Sequence, residues 1–139
     1  MPDHNETSIN LDDAYALETP ADNKDLYRNW ASTYDADFAQ RNKYVYPKTI
    51  AVICAELADK DSPLTILDIG CGTGIVGTCL SELLPTCIID GVDISPEMLS
   101  VASTKLRVNT QPVYDNLFEV DLTQPISFAK AKYDIAISA

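Results

Sequence analysis

Apolar residues recur at helical spacing over 25–38, where Tyr27, Trp30, Ala31, Tyr34 and Phe38 predict an amphipathic helix with Asn23 as its cap. A second helix is expected from Pro47, a good first-turn residue, with Ile50, Ile53, Cys54 and Leu57 on one face. It stops before Asp61-Ser62-Pro63. A short apolar run over 64–69 then reads as a strand entering Gly70-Cys71-Gly72-Thr73-Gly74. Helical spacing resumes with Val76, Cys79, Leu80, Leu83 and Leu84 and is stopped by Pro85.

A second strand runs over 87–93, and Ser95-Pro96-Glu97 opens the next helix as cap, first-turn proline and first-turn acid. Met98, Leu99, Ala102 and Leu106 form its inward face. Further strands are expected over 117–122 and 133–139, with Asp115-Asn116 and Gln124-Pro125 as turns. Strands that alternate with helices give an α/β, doubly wound parallel sheet. Residues 1–22, rich in Asp, Asn and Thr and carrying Pro2 and Pro20, offer little apolar surface and read as a loose arm; 23–139 read as one folded unit.

Composition narrows the function. The chain of 139 residues is 46% hydrophobic, enough for one core. Its net charge of -11 opposes approach to a nucleic-acid backbone and favours a small, neutral or basic substrate. Cys54, Cys71, Cys79 and Cys87 lack the paired spacing of a zinc site, so buried free thiols in a reducing, cytoplasmic setting are expected. No run approaches the length of a membrane helix. His4, the only histidine, falls in the arm, so neither a histidine base nor a metal site is expected.

The glycine loop between strand and helix offers backbone N–H groups and a partial positive charge to a ligand. Gly72-Thr73-Gly74-Ile75-Val76-Gly77 spells the dinucleotide fingerprint, and Asp93 lies about twenty residues on, where a ribose-binding acid belongs. The motif alone does not choose between ligands. Asp68, beside the loop, repels a pyrophosphate and attracts an ammonium group, favouring a ligand with both an ammonium and a ribose.

Asp68-Ile69-Gly70-Cys71-Gly72-Thr73-Gly74 resembles the acid-x-Gly-x-Gly-x-Gly signature of the class I S-adenosylmethionine-dependent methyltransferases. Gly91-Val92-Asp93-Ile94-Ser95 is similar to the family's second motif. That resemblance implies that Asp93 accepts from both ribose hydroxyls, Ile94 packs on adenine and Met98 flanks the ring. Val120-Asp121-Leu122 resembles the segment whose acid accepts from the adenine amino group and whose next backbone N–H, here that of Leu122, meets the ring. Tyr133 to Ala139 is similar to the family's fourth strand, which would place Ser138 near the methionine part. Tyr27-x-x-Trp30-Ala31-x-x-Tyr34-Asp35 resembles a segment that closes over the cofactor in the Williams-Beuren syndrome region proteins, with Tyr34 at the methionyl end. Taken singly, the aromatic stripe is core packing, Asp121 a solvated strand end and Met98 a core residue. Gly70, Asp93, Asp121 and Ser138 all fall at carboxyl ends of strands, where open parallel sheets bind ligands.

The resemblance implies methyl transfer from S-adenosylmethionine with S-adenosylhomocysteine as product, on a sheet of strand order 3-2-1-4 continued by three more strands. The chain therefore reads as truncated after its fourth strand, whose exposed edge a partner strand would cover. Weak cofactor binding and little turnover are expected of it alone. A nicotinamide-dependent oxidoreductase and a non-catalytic module are the other readings.

Overall fold

The computed structural model describes residues 19–31, 45–58, 63–126 and 133–139. Its elements are α1 (Pro20–Trp30), α2 (Tyr46–Leu57), β1 (Thr65–Ile69), α3 (Ile75–Leu83), β2 (Ile88–Asp93), α4 (Pro96–Ala102), β3 (Asn116–Glu119) and β4 (Ile135–Ser138). All strand pairs are parallel and the order is β3-β2-β1-β4, as the resemblance implies.

The register explains the layering. Ile89, Ile66 and Ile135 form one row across β2, β1 and β4. Leu117, Gly91, Asp68 and Ile137 form the row above it, two residues along each strand and so on the same face. Ala51 and Cys54 of α2, Val76 and Leu80 of α3, and Leu99 and Ala102 of α4 cover that face. Burial of this aliphatic layer is the main stabilising contribution, at roughly 25 cal/mol per Å² removed from water.

Several elements depart from the patterns in the sequence. The first helix begins at Pro20 rather than 25, because Thr19 and Asp22 exchange bonds: the Asp22 N–H donates to Thr19 Oγ1 at 3.2 Å and Thr19 N–H to Asp22 Oδ2 at 3.0 Å. The boundary expected at 22 therefore falls inside α1. Its expected extent to Phe38 runs beyond the described residues. On α2 the buried line is Pro47, Ala51 and Cys54, so Ile53 and Leu57 are exposed rather than inward.

The helix α4 ends at Ala102, and Leu106 is 56% exposed in a bridge with Pro112. There Arg107 donates to the carbonyls of Pro85, Cys87, Pro112 and Val113, pulling the chain out of the helix to stitch the start of β2 to the approach to β3. β3 stops at Glu119 because Asp121 Oδ1 accepts from both N–H and hydroxyl of Thr123, turning the chain three residues earlier than the apolar run suggests.

Candidate functional site

The carboxyl ends of β1 and β2 and the residues after β3 surround a cavity of about 310 Å³, within the size range of small-molecule sites. Its lining includes Pro20 of α1, Gly70 and Gly72 of the glycine loop, Asp93, Ile94 and Met98 after β2, Val120 to Thr123 after β3, and Ala139. A smaller hollow shares Gly70, Gly72 and Ala139 and continues past Cys71, Thr73, Ile75, Val76 and Pro47. The two form one cleft along the loop.

Gly70, Gly72 and Gly74 take φ values of 65°, 54° and 93°, the left-handed region that side chains disfavour. At Gly70 and Gly72 a Cβ would meet nothing within 4 Å, so the bare backbone faces open space. That fits a ligand lying against the loop. Gly74 caps α3 and faces Tyr114 instead.

Asp93 anchors the loop. Its Oδ2 accepts from Gly72 N–H and its Oδ1 from Ser95 N–H, both at 2.9 Å. Burial pushes its carboxyl above the usual range, against the pull of these bonds. Ser95 Oγ in turn accepts from Met98 N–H and caps α4, presenting Ile94 and Met98 to the cavity. Bonds from Thr123 hold the Asp121 carboxyl below the usual carboxylate range.

Gly70, Gly72, Asp93, Ile94, Met98, Asp121 and Leu122 thus share the cavity, and Cys71 joins them through the hollow. Asp68, Gly74, Trp30 and Ser138 line neither. Asp68 is 1% exposed, and its Oδ2 accepts from the Tyr114 hydroxyl at 2.7 Å. Trp30 is buried at the end of α1, a helix bound to β3 and α4 by Lys24–Glu119 at 2.8 Å and Arg28–Glu97 at 3.1 Å. Ser138 pairs with Ile69 in the sheet, beside Ala139, which does line the cleft. Tyr34 lies outside the described residues.

Tyr114 and Pro20 escaped the sequence pattern. Buried glycines at 77 and 91, inside a helix and a strand, were the available signal for Tyr114. All four cysteines are free, and burial raises each thiol. Among the described residues no cluster of His, Cys, Asp and Glu could hold a metal, and no helix is long and apolar enough to cross a membrane.

A family model described as a methyltransferase domain matches residues 66–139. The chain is 39% identical over 83 residues to the 18S rRNA (guanine-N(7))-methyltransferase bud23 of Schizosaccharomyces pombe, covering 60% of this chain and 28% of that protein. It is 54% identical over 82 residues to the malonyl-(acyl-carrier protein) O-methyltransferase of Halalkalibacterium halodurans, covering 57% and 29%. The chain therefore spans less than a third of the length of these relatives. The plantazolicin methyltransferase BpumL, solved with a pentazolic desmethylPZN analog and SAH, superposes with a TM-score of 0.52 at 25% identity, over 80% of this chain and 45% of that one. Magnesium protoporphyrin IX methyltransferase of Synechocystis PCC 6803 shares the fold, with a TM-score of 0.58 at 22% identity over 88% and 62%. With a family model matching more than half of its residues, the chain belongs to the methyltransferase domain family.

Proposed function

We propose that this chain binds S-adenosylmethionine along the cleft and serves methyl transfer to a small or otherwise non-nucleic-acid acceptor, with S-adenosylhomocysteine as product. The charge of the site carries this reading. Asp93 and Asp121 line the cavity, Asp68 is buried beside the loop, and among the described residues no Lys or Arg lines either part of the cleft. Such a site attracts a sulfonium and an ammonium and repels a pyrophosphate, which disfavours a nicotinamide dinucleotide despite the literal fingerprint.

In this reading Asp93 keeps lone pairs for the ribose hydroxyls beside its two backbone bonds, and Ile94 and Met98 enclose the adenine. Asp121 and the Leu122 N–H meet the adenine edge. Gly70, Cys71, Gly72 and Gly74 carry the amino-acid end towards the first turn of α3, with Ser138 beside it and Trp30 and Tyr34 as the segment that closes over it. Bound cofactor supplies an activated methyl on a sulfonium leaving group. The chain's residues fix its orientation and exclude water from it.

The net charge of -11 favours the non-nucleic-acid acceptor and suits a cytoplasmic protein with free thiols. Ribosomal RNA is the second reading, favoured by the similarity to the fission-yeast enzyme. The open side of β4 is the place where a further strand, of the same polypeptide or of a partner, would pair. Thermal unfolding with each ligand tests the cofactor. S-adenosylhomocysteine at a hundredfold excess over its Kd should stabilise the chain by about 2.7 kcal/mol, and a nicotinamide dinucleotide should leave it unchanged. Protection by the dinucleotide alone would refute the reading.

A further inference from the structure

Tyr114 occupies a slot that three glycines leave open. A Cβ on Gly74 would lie 2.9 Å from Tyr114 Cε2, one on Gly91 would lie 2.9 Å from Cε1, and one on Gly77 would overlap the phenol. These glycines belong to the loop, to β2 and to α3, so three elements give up a side chain to admit one ring. Packing accounts for the ring but not for the hydroxyl, which is aimed at Asp68 Oδ2, 2.7 Å away and 46 residues distant in sequence.

Asp68 sits at the base of the loop, in the same cross-strand row as Gly91. The titratable groups that bear on it are Tyr114 and Asp93, with Cys71 close by in the loop, and the Lys105 stem passes beside Gly74. Burial pushes the Asp68 carboxyl up to about 7; the Tyr114 bond opposes this and the Asp93 charge adds to it. Asp68 therefore changes charge within the neutral range.

We propose that Tyr114 is a positioning residue of the cofactor site, whose hydroxyl orients the Asp68 carboxyl beneath the glycine loop and favours its charged form, which attracts the cofactor's ammonium group. The inference rests on the cofactor reading above. Binding then favours the carboxylate form, so affinity rises as pH rises through the Asp68 titration.

Calorimetric titration of the full chain with S-adenosylhomocysteine across the neutral range tests this. Tyr114→Phe keeps the ring and removes the hydroxyl, and should displace the rise in affinity by about one pH unit towards higher pH. A ring that merely fills its slot would leave the midpoint in place. Asp68→Asn should abolish the rise with either Tyr or Phe at 114. A Tyr114→Phe profile that superimposes on that of the unmodified chain, or a rise that persists in Asp68→Asn, overturns the inference alone. An unmodified chain that binds no S-adenosylhomocysteine at any pH overturns the cofactor reading and the inference together.

Discussion

Asp68 sets the fold against the proposed site in a single side chain. Burial pushes its carboxyl up to about 7 in the folded chain, above the ordinary aspartate value of about 3.9, so between these values the native state holds a proton that the unfolded chain has released. Stability from this group is therefore fully present below about pH 4 and is lost as pH rises through about 7. Asp68→Asn should remove that loss, stabilising the ligand-free chain at alkaline pH by up to a few kcal/mol while weakening cofactor binding. Chemical denaturation of both proteins at acid and alkaline pH checks it; a parallel pH dependence in the two would rule it out. Asp93, Gly70 and Gly72 were legible as lining of the cavity because a motif fixes them by local spacing, whereas Asp68 and Gly74 of the same motif face Tyr114 instead. Tyr114 was not legible, because its partners are brought to it by the parallel register.

At the scale of elements, α3 sets propensity against packing. Alanine forms helix better than glycine by about 1 kcal/mol, so Gly77→Ala on propensity alone would stabilise. The new Cβ would overlap the Tyr114 ring, and overpacking of this kind costs about 1 to 3 kcal/mol. We expect net destabilisation, reversed when Tyr114→Ala empties the slot; urea unfolding of the single and double variants reads this directly. The cap of α4 gives a simpler case, since Ser95→Ala removes the bond to Met98 N–H and should cost about 1 kcal/mol in the same assay. That cap was plain in Ser95-Pro96-Glu97. The ends of α4 and β3 were not, because Arg107 and Asp121 override an apolar pattern with bonds to distant carbonyls and to a following turn. The inward face of α2 is legible at Ile50 and Cys54 but not beyond them, because periodicity does not tell a stripe continued by Ile53 and Leu57 from one continued by Pro47 and Ala51, and the small residues let the helix lie close to its neighbours.

For the whole molecule, the strand order β3-β2-β1-β4 brings the ends of β1 and β2 and the segment after β3 to one side, and the cleft follows from that topology. Alternating strands and helices made the parallel sheet legible, and the resemblance supplied its order. The net charge of -11 predicts that any association with RNA is weak at physiological salt; tight RNA binding would favour the ribosomal-RNA reading instead. Asp93 and the glycine loop together form the proposed cofactor site. Asp93 also holds Gly72 N–H and Ser95 N–H, so Asp93→Ala would loosen the loop as well as remove an acceptor. Asp93→Asn keeps the shape and one of the two backbone bonds, its amide NH2 facing the other N–H, and so disturbs the loop less than Asp93→Ala. The direct measurement is calorimetric titration of the unmodified chain and Asp93→Asn with S-adenosylhomocysteine. Binding by the first, weakened about 10- to 100-fold in the second, is the result expected when charged acceptors are lost from a buried ligand. Equal affinities in the two would mean that the ligand does not bind at Asp93.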